Sequence, residues 1–302
     1  MLGMNVPETI VITEVCPRDG FQNHKTPIPT DVKKEIIDDL CGLGFSRMEI
    51  TSFVSPRAIP QMHDAPEIMR YFNEKWKGIV RGIALVPNIK GAENALEAGA
   101  KSLIFALSAS EKHNMANTRR TVEGSLAELR EICGLQGYEE IGIGIATSFT
   151  CPFAGDVPAE DVVRIIGASL DFGVAHITVA DTMGTASPLQ VEKTLTRIKK
   201  EFPGIDFALH FHDTYGFGLA NVLTALRMGC DSFETSAASM GGCPFAPGAT
   251  GNLATEDLVN MAEKMGIGTG IDLARLLTVS RGISEKLELK LSSHTVGACR
   301  NF

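Results

Sequence analysis

A chain of 302 residues, 44% apolar and 21% charged, has an ordinary globular composition and enough length to bury a large core. Its formal net charge of −8 disfavours nucleic acid as a partner, because phosphate neutralisation needs a basic face; local basic patches could still hold a small phosphorylated ligand. No stretch of 18 apolar residues occurs, so no membrane span is expected; seven widely spaced cysteines without a C-x-x-C pair, and an N-terminus unlike a signal peptide, point to a reducing cytoplasm.

Eight short segments rich in β-branched and apolar residues follow one another at 9–15, 47–54, 79–86, 102–108, 140–147, 176–180, 206–212 and 231–237. Runs such as IVRGIALV and IGIGIAT suit parallel strands covered on both faces. Helical patterns lie between them. In 30–44, Val32, Ile36, Leu40 and Leu43 fall on one face and Thr30 is an N-cap candidate. Similar patterns occupy 93–98, 122–133, 159–172, 188–202 and 219–228, and Gly44, Gly99, Gly173 and Gly229 follow helices as C′ caps require. Eightfold strand–helix alternation predicts an α/β fold of the (β/α)8 TIM-barrel type. An open doubly wound sheet is disfavoured by the count and by the lack of Gly-x-Gly-x-x-Gly after the first strand. One domain, 1–302, is expected, with the barrel over about 8–268 and a C-terminal helical segment over 269–302.

Barrel enzymes work at the C-terminal ends of their strands. Those ends hold Arg18 and Asp19 after strand 1, Glu49 and Ser52 in strand 2, Asp181 after strand 6, and His210 and His212 at strand 7; a glycine-rich loop, 241–252, follows strand 8. Residues i and i+2 of a strand share a face, so His210 and His212 can share one ion while Phe211 points away. Asp19 would add an oxygen ligand and Asn252 a carbonyl oxygen. Such a set suits a divalent cation, Mg²⁺, Mn²⁺ or Zn²⁺, in a catalytic site; the plainer alternative is a hydrogen-bonded histidine pair on the rim. Arg18, held by Glu49, could stabilise an oxyanion or form a structural rim ion pair. Cys243 could transfer a proton or simply be an exposed thiol. The other cysteines read as core, and His24, His63, His113, His176 and His294 as structural or surface residues.

These residues belong to longer stretches: PRDGFQN (17–23), EITSFVSP (49–56), PQM (60–62), VPNIKG (86–91), SASE (108–111), DTMG (181–184), HFHDTYG (210–216) and GGCPFAPGATGNLATEDLV (241–259). Through them nearly the whole chain resembles the 3-hydroxy-3-methylglutaryl-CoA lyase family of TIM-barrel metallolyases. The resemblance implies that Asp19, His210, His212 and Asn252 hold a divalent metal and that Arg18, Glu49, Asp181 and Cys243 are catalytic or supporting residues. It implies an acyl-CoA substrate and retro-Claisen cleavage to acetyl-CoA and acetoacetate, the chemistry of leucine degradation and ketone-body formation. It also implies a homo-oligomer, dimer or tetramer. Cys16, Phe21, Phe217 and Phe245 depart from the family pattern. So does the loop expected after strand 4, where the family has a stretch like Asn-Ile-Asn-Cys and this chain reads HNMANTRR (113–120). There Asn117, Arg119 and Arg120 could grip the CoA phosphates or a substrate carboxylate, or start the next helix from its surface. A related ester such as citramalyl-CoA therefore stays open. A condensing synthase of the isopropylmalate or homocitrate type is disfavoured by the length of the chain. An inactive scaffold barrel is disfavoured by retention of the whole residue set.

Overall fold

The computed structural model describes residues 6–241, 251–289 and 292–298. Eight parallel strands pair in sequence order and close on themselves: β1 Val11–Glu14, β2 Arg47–Ser52, β3 Arg81–Val86, β4 Ser102–Ser108, β5 Glu140–Ala146, β6 His176–Asp181, β7 Ala208–Phe211 and β8 Ser232–Thr235, which pairs with β1. This is the TIM barrel expected from the sequence. Each strand is read close to its position, but β1, β7 and β8 are shorter than the segments read from the sequence, with residues lost at both ends.

Helices wrap the outside: α1 Thr30–Cys41, α2 Ala65–Trp76, α3 Ile89–Glu97, α4 Glu111–Thr118, α5 Val122–Cys133, α6 Ala159–Asp171, α7 Pro188–Glu201, α8 Gly218–Arg227 and α9 Thr255–Met265. Apolar faces at helical spacing, such as Ile36, Ile37 and Leu40 of α1, are buried in one core with outward strand residues such as Leu209, Phe211 and Phe233. That shell is the core. The four glycines expected past helix ends all take positive φ. Beyond the barrel, α10 Leu273–Lys286 and α11 His294–Ala298 form the expected C-terminal helical extension. No helix among the described residues is long and apolar enough to cross a membrane.

Besides α2 and α9, which have no counterpart in the sequence reading, three local features differ from it. Residues 111–118, expected as loop, form α4, because the Ser110 hydroxyl accepts from the His113 amide and caps a first turn. The segment after β1 is a turn of π-helix, Cys16–Gly20. A short hairpin, Thr150–Cys151 against Gly155–Asp156, stands over the mouth beyond β5.

Candidate metal centre

The π-turn is built on one acceptor. The Val15 carbonyl takes the amides of Arg18, Asp19 and Gly20 at 3.1, 2.7 and 3.4 Å, which presents Arg18 and Asp19 side by side at the barrel mouth. On the opposite side of the β1–β8 seam, residues 251–253 run antiparallel to 211–213. The Leu253 amide donates to the Phe211 carbonyl and the Asp213 amide to the Gly251 carbonyl, both at 3.0 Å. This pairing sets Asn252 against His212.

Asp19, His210 and His212 are all buried, and one ligand atom from each lies within 4.8 Å of the others. Asn252 Nδ2 donates to Asp19 Oδ2 at 2.7 Å and to the Met240 carbonyl at 2.9 Å. Its Oδ1 is buried without a hydrogen-bond partner among the described residues, as is His212 Nδ1. His210 Nε2 faces His212 Nε2 at 3.1 Å. Two imidazole nitrogens so placed need a proton or a cation between their lone pairs. Burial opposes charge on His210, but the Glu234 carboxylate at its Nδ1 and then Asp19 raise its pKa. Burial and the adjacent His210 push His212 down to about 3, so it is a neutral nitrogen donor. For Asp19, burial works against ionisation, yet Arg18 and both histidines outweigh it and hold the carboxylate below its ordinary range. The donor set, one carboxylate and two imidazoles with an orphaned amide oxygen beside them, fits a divalent cation.

Arg18 is 9% exposed and sits between carboxylates, its Nε donating to Glu49 and one terminal nitrogen to Asp19. Five N–H groups on a guanidinium leave donors for a ligand. Asp181, at the end of β6, is fully buried. It accepts from the Ala186 amide at 3.0 Å and the Thr185 amide at 3.4 Å, and burial raises it to about 6. Its place in the structure is thus a clamp on the loop after β6. That loop presses on the centre: at Gly184, φ +63°, a Cβ would stand 2.7 Å from His212 Cβ. A cleft of about 490 Å³ opens beside the π-turn, lined by Gly20, Asn23, Lys25, Met240, Gly241 and Leu289 among others.

The structure therefore brings together Arg18, Asp19, Glu49, His210, His212 and Asn252, with Asp181 close by. Cys243 lies outside the described residues. Asn117, Arg119 and Arg120 are not brought in by any hydrogen bond or ion pair among the described residues. Asn117 is exposed on α4 and Arg119 caps that helix with φ 58°. Arg120 donates to the Pro87 carbonyl at 3.1 Å and pairs with Glu128 at 3.4 Å, bracing the start of α5. Sequence reasoning missed Glu234, whose Oε2 is 3.0 Å from His210 Nδ1. The available signal was an acid in the middle of the strand pattern of 231–237, one strand over from His210. It also missed Glu14, fully buried, which accepts from the amides of Cys16 and Ala237 and from the Thr255 hydroxyl, joining β1, the β8 exit and α9.

The HMGL-like family profile matches residues 9–283. The chain belongs to the HMGL-like family. It is 42% identical over 295 residues to the hydroxymethylglutaryl-CoA lyase of Bacillus subtilis, covering 97% of this chain and 98% of that protein. To the human mitochondrial hydroxymethylglutaryl-CoA lyase it is 39% identical over 295 residues, covering 97% and 90%. The solved structure of an HMG-CoA lyase from Acinetobacter baumannii, in complex with coenzyme A and 3-methylmalate, superposes with a TM-score of 0.92 at 42% identity, covering 100% of this chain and 98% of that one. In this HMGL-like barrel the motifs shared with the family are thus carried on a common backbone, and the Asp19–His210–His212 group sits where two of them meet.

Proposed function

We propose that this chain is a divalent-metal-dependent carbon–carbon lyase that cleaves 3-hydroxy-3-methylglutaryl-CoA to acetyl-CoA and acetoacetate. One observation carries the reading: Asp19, His210 and His212 converge beside a fixed Arg18 at the open end of the barrel, in a chain 42% identical to a protein of that name. Asp19, His210 and His212 would hold the ion, with the Asn252 Oδ1 as fourth donor. Bound there, Mg²⁺ or Mn²⁺, with Zn²⁺ a third candidate, supplies Lewis-acid polarisation that lowers the pKa of the substrate's 3-hydroxyl group.

The chemistry balances as a retro-Claisen step. The hydroxyl proton passes to a base, C3 becomes the ketone carbon of acetoacetate, and the C2–C3 electron pair moves onto the thioester as an enolate. Arg18 donates to that enolate oxygen, and Glu49 keeps the guanidinium from swinging away. Cys243 returns a proton to C2. Asp181 keeps the Gly184 loop seated against His212. The cleft beside the π-turn accepts the CoA arm. We assign the reaction to the cytoplasm, in leucine-degradation and ketone-body chemistry, and the working form to a homo-oligomer.

A second acyl group has support in the related A. baumannii structure, solved in complex with coenzyme A and 3-methylmalate, a hydroxy diacid shorter than hydroxymethylglutarate. Incubating the metal-loaded protein with 3-hydroxy-3-methylglutaryl-CoA and with citramalyl-CoA, and weighing the products by mass spectrometry, separates the two. The proposal predicts acetoacetate from the first at the higher kcat/KM. Pyruvate from the second as the dominant product would move the substrate to the shorter ester.

A further inference from the structure

Glu234 has no part in the mechanism above, yet it is a buried carboxylate in the barrel lumen, 3% exposed. Register explains how it gets there. Glu234 of β8 is level with His210 of β7 and with Thr13 of β1, so its side chain enters the lumen on the same level as the His210 ring. Both of its oxygens are used. Oε2 accepts from His210 Nδ1 at 3.0 Å, and Oε1 accepts from the Thr178 hydroxyl at 2.6 Å. Thr178 lies on β6 two residues before Ala180, which is level with His210, and its hydroxyl is also 3.3 Å from His176 Nε2 nearer the barrel floor. A polar column thus rises through the lumen from His176 through Thr178 and Glu234 to His210. Barrel interiors are ordinarily filled by layers of branched apolar side chains. Burying a carboxylate there is costly unless every lone pair it aims inward finds a donor. Here the donors are a hydroxyl and the far nitrogen of a residue in the candidate metal centre.

We infer that Glu234 is a positioning residue for the metal centre, with Thr178 setting its rotamer. By holding the Nδ1–H of His210, Glu234 fixes the tautomer that leaves Nε2 turned toward Asp19 and His212, and its charge strengthens that nitrogen as a donor. Thr178 keeps Glu234 from rotating toward Arg18, whose guanidinium lies close enough to feel its charge. This inference rests on the metal-dependent reading of the site.

The test titrates Mn²⁺ into chelator-stripped protein and records the visible absorption of the Co²⁺-loaded form, for wild type, Glu234→Gln and Thr178→Val. Both substitutions keep side-chain volume. Glu234→Gln should weaken Mn²⁺ binding by about 10–100-fold. Thr178→Val, which keeps the Glu234 carboxylate but loses the hydrogen bond that sets its rotamer, should weaken it by roughly 5-fold. The Co²⁺ band should shift in both, and the KM for acyl-CoA at saturating metal should stay at the wild-type value. Should Glu234→Gln fail to fold, Thr178→Val carries the test. Wild-type affinity and an unchanged Co²⁺ band in the variants, with only a lower Tm, would make Glu234 a structural filler and overturn the inference. A wild-type chain that takes up no ion would instead overturn the metal reading beneath it.

Discussion

Two imidazole nitrogens 3.1 Å apart, a carboxylate within reach of both and an amide oxygen without a partner among the described residues form a set that an ion would complete. Removing Asp19 or His210 removes a donor without touching the apolar shell that stabilises the barrel. Asp19→Ala and His210→Ala should therefore keep the wild-type circular-dichroism spectrum while kcat falls by about 10³-fold or more, since Lewis-acid stabilisation is worth several kcal/mol. Steady-state rates measured beside the spectra check this. Arg18 makes a different demand. Its Nε and a terminal nitrogen are each committed to a carboxylate, which a lysine ammonium cannot reproduce in one plane. Arg18→Lys should lower kcat by about 10²- to 10³-fold with little change in metal affinity. A near-normal rate in that variant would reduce the Arg18–Glu49 pair to a rim ion pair. His210 and His212 could be read from the sequence because strand periodicity puts both on one face at a strand end, and Asp19, Arg18 and Glu49 because they sit in or just after strand patterns within the motifs that carry the resemblance. Glu234 could not, because an acid in a short strand reads equally as a solvent-facing residue until the register with β7 is known.

Between elements, the centre depends on loops that reach across strand ends. Apolar runs and glycine stops made the strands and most helices visible in the sequence. The π-turn after β1 has no such signal, since its three donors share one backbone carbonyl, a pattern independent of side-chain type. α4 was obscured because only two of its eight residues, His113 and Asn114, are buried, so it shows no apolar stripe. The approach of the β6 loop to His212 was equally hidden. Gly184 sits at φ +63°, with Thr214 Oγ1 2.6 Å and His212 Cβ 2.7 Å from where a Cβ would stand. Gly184→Ala should displace His212 or the loop. The expected result is a Tm lower by a few degrees, from about 1–3 kcal/mol of overpacking, and Mn²⁺ binding weakened by at least about tenfold. Calorimetry and metal titration on one preparation would read both.

For the whole molecule, the buried carboxylates set how stability follows pH. Burial raises Glu14 and Glu256, both fully buried, from an ordinary 4.5 to about 7. A carboxylate raised in the folded state contributes stability that is complete below its unfolded pKa and is lost as pH climbs through the folded value. Asp19 and Glu140 have the opposite sign. Burial works against them, but Arg18 and Arg47 respectively lead in holding them low, so their contribution is present above the ordinary range and lost in acid. Glu14 should therefore cost stability as pH rises from about 4.5 to about 7, and Glu14→Gln should remove about 3 kcal/mol of that loss in denaturant unfolding, the worth of a rise from 4.5 to about 7. An unchanged slope in the variant would show that Glu14 is ionised throughout. All of these effects are secondary to the proposed dependence of cleavage on an ion held by Asp19, His210 and His212. The direct measurement is to add Mn²⁺ stepwise to chelator-stripped protein and follow bound ion and acetoacetate released from 3-hydroxy-3-methylglutaryl-CoA in the same samples. The two curves should rise together and level off at one ion per chain. Full turnover in the stripped protein, or cleavage that ignores the ion, would contradict the account.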